Sequence, residues 1–214
     1  EYPLAVAYPK NNDDIKKLIQ FSNQHKVSLI PRAAGTSLGG QVVGKGIVVD
    51  ISRYLNKIID INETENWVIV QPGVIRDELN YYLKKHNLYF GPETSTANRA
   101  TIGGMVGNNS CGTNSIVYGS TRNHVLEIKG FLSNGDEIHI HQLSPEELKQ
   151  KTTLTTLEGD IYSFIQDQLS NKEVQKNIEE QYPSTNIHRR NTGYALDALL
   201  EQCPFAEHGR PFNL

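Results

Sequence analysis

Cysteine is scarce in this chain: there are only two, Cys111 and Cys203, far apart and in no CxxC pair. They offer neither a structural zinc site nor a disulfide framework. The spacing reads as two reduced thiols of a cytoplasmic protein, with a single disulfide as the alternative. No apolar run approaches the roughly 20 residues that span a bilayer. The opening Glu1-Tyr2-Pro3-Leu4 lacks the basic and apolar stretches of a signal peptide. Concentrated positive charge is missing as well. The formal net charge is -3 and the one basic knot is His188-Arg189-Arg190, which disfavours nucleic acid as a partner. Two phosphate-binding patterns are absent: G-x-x-x-x-G-K followed by Ser or Thr, and G-x-G-x-x-G opening a helix. A P-loop NTPase and a Rossmann NAD site are thereby disfavoured, and any dinucleotide must be held another way. The seven histidines show no metal-ligand spacing. His139 and His141 share a strand face, but two ligands do not make a site, so no metal is expected.

What is present is ordinary globular material. Hydrophobic residues make up 37% and charged residues 21% of 214 residues, enough for a buried core. Both ends read as cut from a longer protein, since the chain begins without methionine and stops at Pro211-Phe212-Asn213-Leu214. Residues 13 to 25 predict an amphipathic helix, with Asp13 and Asp14 in its first turn and Ile15, Leu18, Ile19 and Ser22 on one face. A strand over Val27 to Ile30 and another over Ile47 to Ile51 complete a small β-α-β lobe spanning 1–55. A larger lobe, 56–214, opens with a hairpin (Lys57 to Ile61, Trp67 to Gln71), with Trp67 in its core. After Pro72-Gly73, the stripe Ile75, Leu79, Leu83 and His86 predicts a helix. Residues 89 to 120 read as loop. Asn134-Gly135, between the extended runs Val125 to Ser133 and Asp136 to His141, predicts a type I′ hairpin. Ser144-Pro145-Glu146-Glu147 starts a helical region. The fold class is α+β: a small β-α-β lobe beside a larger, mainly antiparallel sheet flanked by helices.

Chemistry concentrates in two small-residue segments. The first, Arg32 to Gly40, follows a strand directly. With little side-chain bulk, its backbone N–H groups can converge on an anion, although such loops also serve as plain turns. The second, Pro92 to Gly112, carries four glycines, five hydroxyl side chains and three asparagines. Ile102, Met105 and Val106 argue against full exposure. A flat, hydrogen-bonding ligand would fill the space that this lack of bulk leaves; an exposed loop is the alternative.

Here the sequence resembles a known family. Pro31-Arg32-Ala33-Ala34-Gly35-Thr36-Ser37-Leu38-Gly39-Gly40 is similar to the pyrophosphate loop of the p-cresol methylhydroxylase / vanillyl-alcohol oxidase type FAD-binding domain. Thr101-Ile102-Gly103-Gly104 through Asn109-Ser110-Cys111-Gly112 resembles that family's isoalloxazine-facing stretch. Tyr118-Gly119-Ser120-Thr121 follows in the family's order. Arg189-Arg190-Asn191-Thr192-Gly193-Tyr194-Ala195-Leu196 resembles the segment that returns to the flavin in the D-lactate and D-2-hydroxyglutarate dehydrogenase branch. The form Gly107 to Gly112 is similar to the large bacterial members with a fused iron–sulfur region.

The resemblance implies an enzyme: an FAD-linked oxidoreductase oxidising a small D-2-hydroxy acid (D-lactate, glycolate or D-2-hydroxyglutarate) by hydride transfer to flavin N5. Electrons then pass to a quinone, a cytochrome or the fused iron–sulfur centre. Backbone groups of Ala33, Ala34, Gly35, Thr36 and Ser37 would hold the pyrophosphate. Pro92, Glu93, Thr94, Thr101, Gly103 and Gly104 would line the flavin and ribityl chain, with Asn108, Asn109, Gly112 and Tyr118 beside them. Arg189 and Arg190 would face the substrate carboxylate or the flavin N1 region, or form a solvated pair at a helix start, and Tyr194 would stack near the ring or lie in the core. No histidine lies between Arg32 and Gly40, so FAD is expected to be non-covalent, with Cys111 a packing residue. The catalytic residues, the Gly-Ser-Glu-Gly-Thr segment that closes the FAD site and the cap domain are expected outside this chain. The isolated piece is therefore expected to retain FAD poorly and to lack turnover. The location implied is cytoplasmic or peripheral to the inner membrane. A flavin oxidase acting on a sugar or alcohol, and a non-catalytic nucleotide-binding module, are the alternatives.

Overall fold

A computed structural model describes residues 2–184, 187 and 193–214. It divides into two compact units, Glu1–Val125 and Leu126–Leu214. The first opens with β1 (Ala5–Ala7), α1 (Asn12–His25), β2 (Leu29–Arg32) and β3 (Ile47–Asp50). Helix α1 starts where the Asn11 side chain accepts the Asp14 N–H at 3.0 Å. It stops where Lys26 turns left-handed at φ 54°. Val27 closes that turn, its N–H and C=O both bonded to Ser22. The strand expected from Val27 is thereby delayed to Leu29.

The three strands order as β1-β3-β2, all parallel. Central β3 buries Ile47, Val48 and Val49 in succession, the run expected of a strand covered on both faces. β2 lies at the edge, where Pro31 removes no needed donor. Parallel neighbours cannot be joined by a tight turn. The chain must travel back from the end of β2 to the start of β3, and residues 33–46 make that journey. The small-residue loop is thus the crossover itself.

An antiparallel hairpin follows, β4 (Ile58–Asn62) with β5 (Trp67–Val70). Its turn is braced by Asn62 Oδ1, which accepts from the N–H groups of Thr64 and Glu65. Trp67 departs from the core position expected for it. Beside the turn it is only half-buried, its indole N–H donating to Glu65 Oε2 at 2.7 Å. Helix α2 (Arg76–Lys84) sinks Leu79 and Leu83 beside Val74, against Ile58, Ile61, Val68, Val70, Phe90 and Ile102. Each such fully buried side chain is worth about 1.5–3 kcal/mol.

Residues 89 to 120 are not the plain loop expected. They contain α3 (Ile102–Gly107) and α4 (Ser115–Tyr118), and a 3-10 turn, Thr121–His124, follows. Glycine lowers helix propensity, but tertiary packing overrides it. Thr101 caps α3, Met105 is buried, and Gly103 sits where a Cβ would lie 2.5 Å from Pro72 Cβ.

The second unit begins with β6 (Ile128–Phe131) paired antiparallel to β7 (Glu137–Ile140). The hairpin stands where Asn134-Gly135 predicts it, but its turn is not type I′. Of the two residues only Gly135 has positive φ, 90°. Leu132 O accepts from Gly135 N–H, and Leu132 N–H donates to Asp136 O. This is the three-residue loop with glycine at the bulge. Asn134 instead braces Asp136 through its side chain.

Helices α5 (Pro145–Thr152), α6 (Leu157–Ser170), α7 (Lys172–Gln181) and α8 (Leu196–Leu200) follow. α5 carries the Ser144/Glu147 capping box. Leu143, Leu148, Tyr162, Leu169, Ile178, Leu199 and Phe212 form one apolar core. The chain is α+β, as the sequence implies. Among the described residues its antiparallel strands form two separate hairpins, with isolated bridges between Ile75 and Thr101 and between Leu143 and Phe212, rather than one larger sheet.

Candidate functional site

The first loop hangs on β2. Gly35 takes φ +67°, a conformation glycine alone adopts freely, and the Arg32 guanidinium lies against it. Among the described residues, no backbone N–H from Ala33 to Ser37 donates to a protein acceptor. Arg32 likewise forms no ion pair among them. Five successive N–H groups and one guanidinium, half-buried, are a donor set in search of an anion. Ser37 Oγ accepts from the Gln41 amide.

The second segment meets the first at a defined point: Thr96 Oγ1 donates to Thr36 Oγ1 at 3.3 Å, across 60 positions of sequence. Thr94 Oγ1 stands 3.3 Å from the same Thr96 hydroxyl. Pro92 is fully buried, and a Cβ on Gly112 would lie 2.4 Å from Glu93 O. Both ends of the segment are therefore packed on each other. Thr101 Oγ1 accepts from Gly104 N–H, and Gly103 N–H donates to Pro72 O at 2.8 Å. Asn108 donates to Ser110 Oγ at 3.1 Å. Asn109, at φ +43°, accepts the Arg122 N–H at 2.9 Å. Tyr118 covers Gly91, with its ring 5.9 Å from that of Tyr89. A cavity of about 300 Å³ opens beside the first loop; Arg32, Asp50, Tyr8, Val43 and Val48 line it, and no residue of the second segment does.

Three expected residues remain. Arg189 and Arg190 lie outside the described residues. Tyr194 belongs to the second unit and is 59% exposed, so it is no core residue. Its carbonyl accepts from the Tyr182 hydroxyl at 2.8 Å. His139 pairs with Glu127 at 2.8 Å and stacks near His141. Among the described residues no three His, Cys, Asp or Glu side chains gather as a metal site. Both cysteines are free thiols.

Arg76 is the residue that the sequence reading missed. It is 6% exposed, and its guanidinium donates to Pro92 O (3.0 Å), Asp77 Oδ1 (2.9 Å), Tyr89 Oη (2.7 Å) and Phe90 O (3.5 Å). Burial works against its charge, yet the bonds to Asp77 and Tyr89 outweigh that and raise its pKa above the ordinary value. A signal was present: positions 76, 79 and 83 share one helix face, so a cation stands on the apolar stripe.

A parallel sheet whose crossover loop is hydrogen-bonded to a second glycine-rich segment defines an α+β domain of small sheets and helices. A family model described as FAD binding domain matches residues 3–141. The chain belongs to this family, whose cofactor is FAD. It is 39% identical over 99% of its length to the D-2-hydroxyglutarate dehydrogenase of Pseudomonas putida, and covers 20% of that protein. To the enzyme of the same name from Escherichia coli it is 38% identical over 91% of this chain and 19% of the relative. To the mitochondrial D-lactate dehydrogenase (cytochrome) of Kluyveromyces lactis it is 39% identical over 62% of this chain and 23% of that one. The chain thus spans about a fifth of the length of these relatives. Among solved structures, p-cresol methylhydroxylase with bound substrate superposes at a TM-score of 0.57, with 21% identity over 64% of this chain and 27% of the other. That likeness speaks for the fold.

Proposed function

We propose that this chain is the FAD-cradling part of a dehydrogenase that oxidises a small D-2-hydroxy acid, of the D-2-hydroxyglutarate, D-lactate or glycolate kind. The observation that carries the proposal is the Thr36–Thr96 bond, which joins the loop of unpaired N–H groups to the glycine-rich segment. In this reading residues 1–55 are the pyrophosphate lobe and 56–214 the larger lobe. Ala33 to Ser37 direct N–H groups at the diphosphate, and Arg32 adds a positive charge. Pro92, Glu93, Thr94, Thr101, Gly103 and Gly104 border the ring and ribityl chain, with Asn108, Asn109, Gly112 and Tyr118 alongside.

Bound FAD would supply the acceptor for the hydride of the carbinol C–H, the hydroxyl proton going to a base, so that a 2-hydroxy acid becomes a 2-oxo acid. A quinone, a cytochrome or an iron–sulfur centre would be the onward electron acceptor. The work of this chain is to orient the cofactor and exclude water from it. With no histidine between Arg32 and Gly40, attachment is non-covalent. The described residues contain no helix long and apolar enough to cross a membrane. The location proposed is cytoplasmic or peripheral to the inner membrane.

The test is the whole protein, purified and examined for the visible absorption of oxidised flavin. FAD should come off intact on acid precipitation. D-2-hydroxyglutarate, D-lactate, glycolate and D-malate should then be compared with an artificial electron acceptor. A colourless protein whose melting temperature does not respond to added FAD overturns the proposal.

A further inference from the structure

We infer that Arg76 is a positioning residue of the FAD cradle, whose guanidinium sets the backbone of 90–94 on which the two loops close. The inference rests on the FAD reading above and deepens it. It begins with α2, whose first turn has no side-chain cap. The orphan donors of that turn go instead into the second segment: Arg76 N–H to Ala100 O at 2.9 Å and Asp77 N–H to Ala97 O at 3.2 Å. The Arg76 side chain then reaches Pro92 O, where the segment begins, and Phe90 O just before it. One residue therefore ties both ends of 90–100 to a helix anchored in the core by Leu79 and Leu83.

What Arg76 holds is the common floor of the site. Pro92 leads into Glu93, whose carbonyl abuts Gly112, and into Thr94, whose hydroxyl faces Thr96 and through it Thr36 of the crossover loop. Displacement of Pro92 moves both contacts together. The four acceptors lie in different directions from the side chain, and only a planar fork reaches them at once. A lysine ammonium is a single point on a flexible stem. The guanidinium is spent on protein acceptors, so its effect on the cradle passes through the backbone.

Arg76→Lys, Arg76→Met and Tyr89→Phe, each made in the whole protein, test this. Two quantities are read: FAD affinity, by titrating apoprotein and following flavin fluorescence, and the melting temperatures of apoprotein and holoprotein. Loss of the guanidinium fork should weaken FAD binding about tenfold or more in both Arg76 variants, lysine giving no rescue. Tyr89→Phe keeps the guanidinium and removes one acceptor, so a loss of about threefold is expected. It decides the matter if Arg76→Met does not fold. The gap between apo and holo melting temperatures should narrow in every variant. Unchanged FAD affinity in Arg76→Lys and Tyr89→Phe, or equal falls in apo and holo melting temperature, overturns the role of Arg76 and leaves the FAD reading standing. A wild-type protein that takes up no FAD overturns both.

Discussion

The two units are built on different principles. Glu1–Val125 keeps its apolar clusters small and gives its remaining chain to crossover and glycine-rich segments whose polar groups face one another. Leu126–Leu214 has one hairpin and four helices among its described residues, around a single apolar core from Leu143 to Phe212. In the function proposed above, the first unit is shaped around a cofactor. The other is shaped around its own side chains. A substitution in the second should therefore read out as stability, and one in the first as ligand affinity.

The largest expected effect tests the claim for the second unit. Leu169→Ala removes a fully buried side chain from the helical core. It should cost about 2–5 kcal/mol of unfolding free energy, measured by denaturant titration, with FAD affinity unchanged in the folded fraction. Loss of affinity in step with stability would break the contrast. Gly112→Ala tests the claim for the first unit. The new methyl would collide with Glu93 O, separating the two ends of the second segment. FAD affinity should fall about tenfold, a change of about 1.4 kcal/mol, and equilibrium titration with FAD measures it.

The smallest effect has the opposite sign. The Tyr162 hydroxyl, in a residue 1% exposed, has no hydrogen-bond partner among the described residues. Tyr162→Phe should therefore stabilise the protein by about 1 kcal/mol. Burial, with Glu158 adding to it, pushes this phenol from 10.0 up to about 12. Below pH 10 it is protonated in folded and unfolded chains alike, and pH has no leverage through it. Between about pH 10 and about pH 12 only the unfolded chain releases the proton, so stability drains away as pH rises. Melting curves across that window should show a shallower decline in Tyr162→Phe.

Much of the fold was legible because its signals are local. The Asp13-Asp14 start of α1, the stripe through Leu79 and Leu83, the Asn134-Gly135 hairpin and the Ser144 capping box each fit within a few residues. Features that failed to show turn on one remote partner and on side-chain bonds whose choice among neighbours the sequence pattern does not dictate. α3 is helical because Pro72, remote in sequence, packs on Gly103. Trp67 leaves the core because Glu65 offers its indole an acceptor at the turn. The type I′ turn gives way because Asn134 spends its polar atoms on Asp136. In the site, the two small-residue segments stood out by composition. Their contact through Thr36 and Thr96, and the guanidinium beneath them, needed three dimensions.

The path of residues 33–46 has a consequence of its own. Because β2 and β3 lie side by side and point the same way, the strap between them is fastened to the sheet at both ends. An anion gripped by that strap would cinch the two strands, and its departure would loosen them. Amide deuterium uptake at Ile47 to Asp50 should then slow when the strap is loaded, making a buried strand a remote gauge of occupancy.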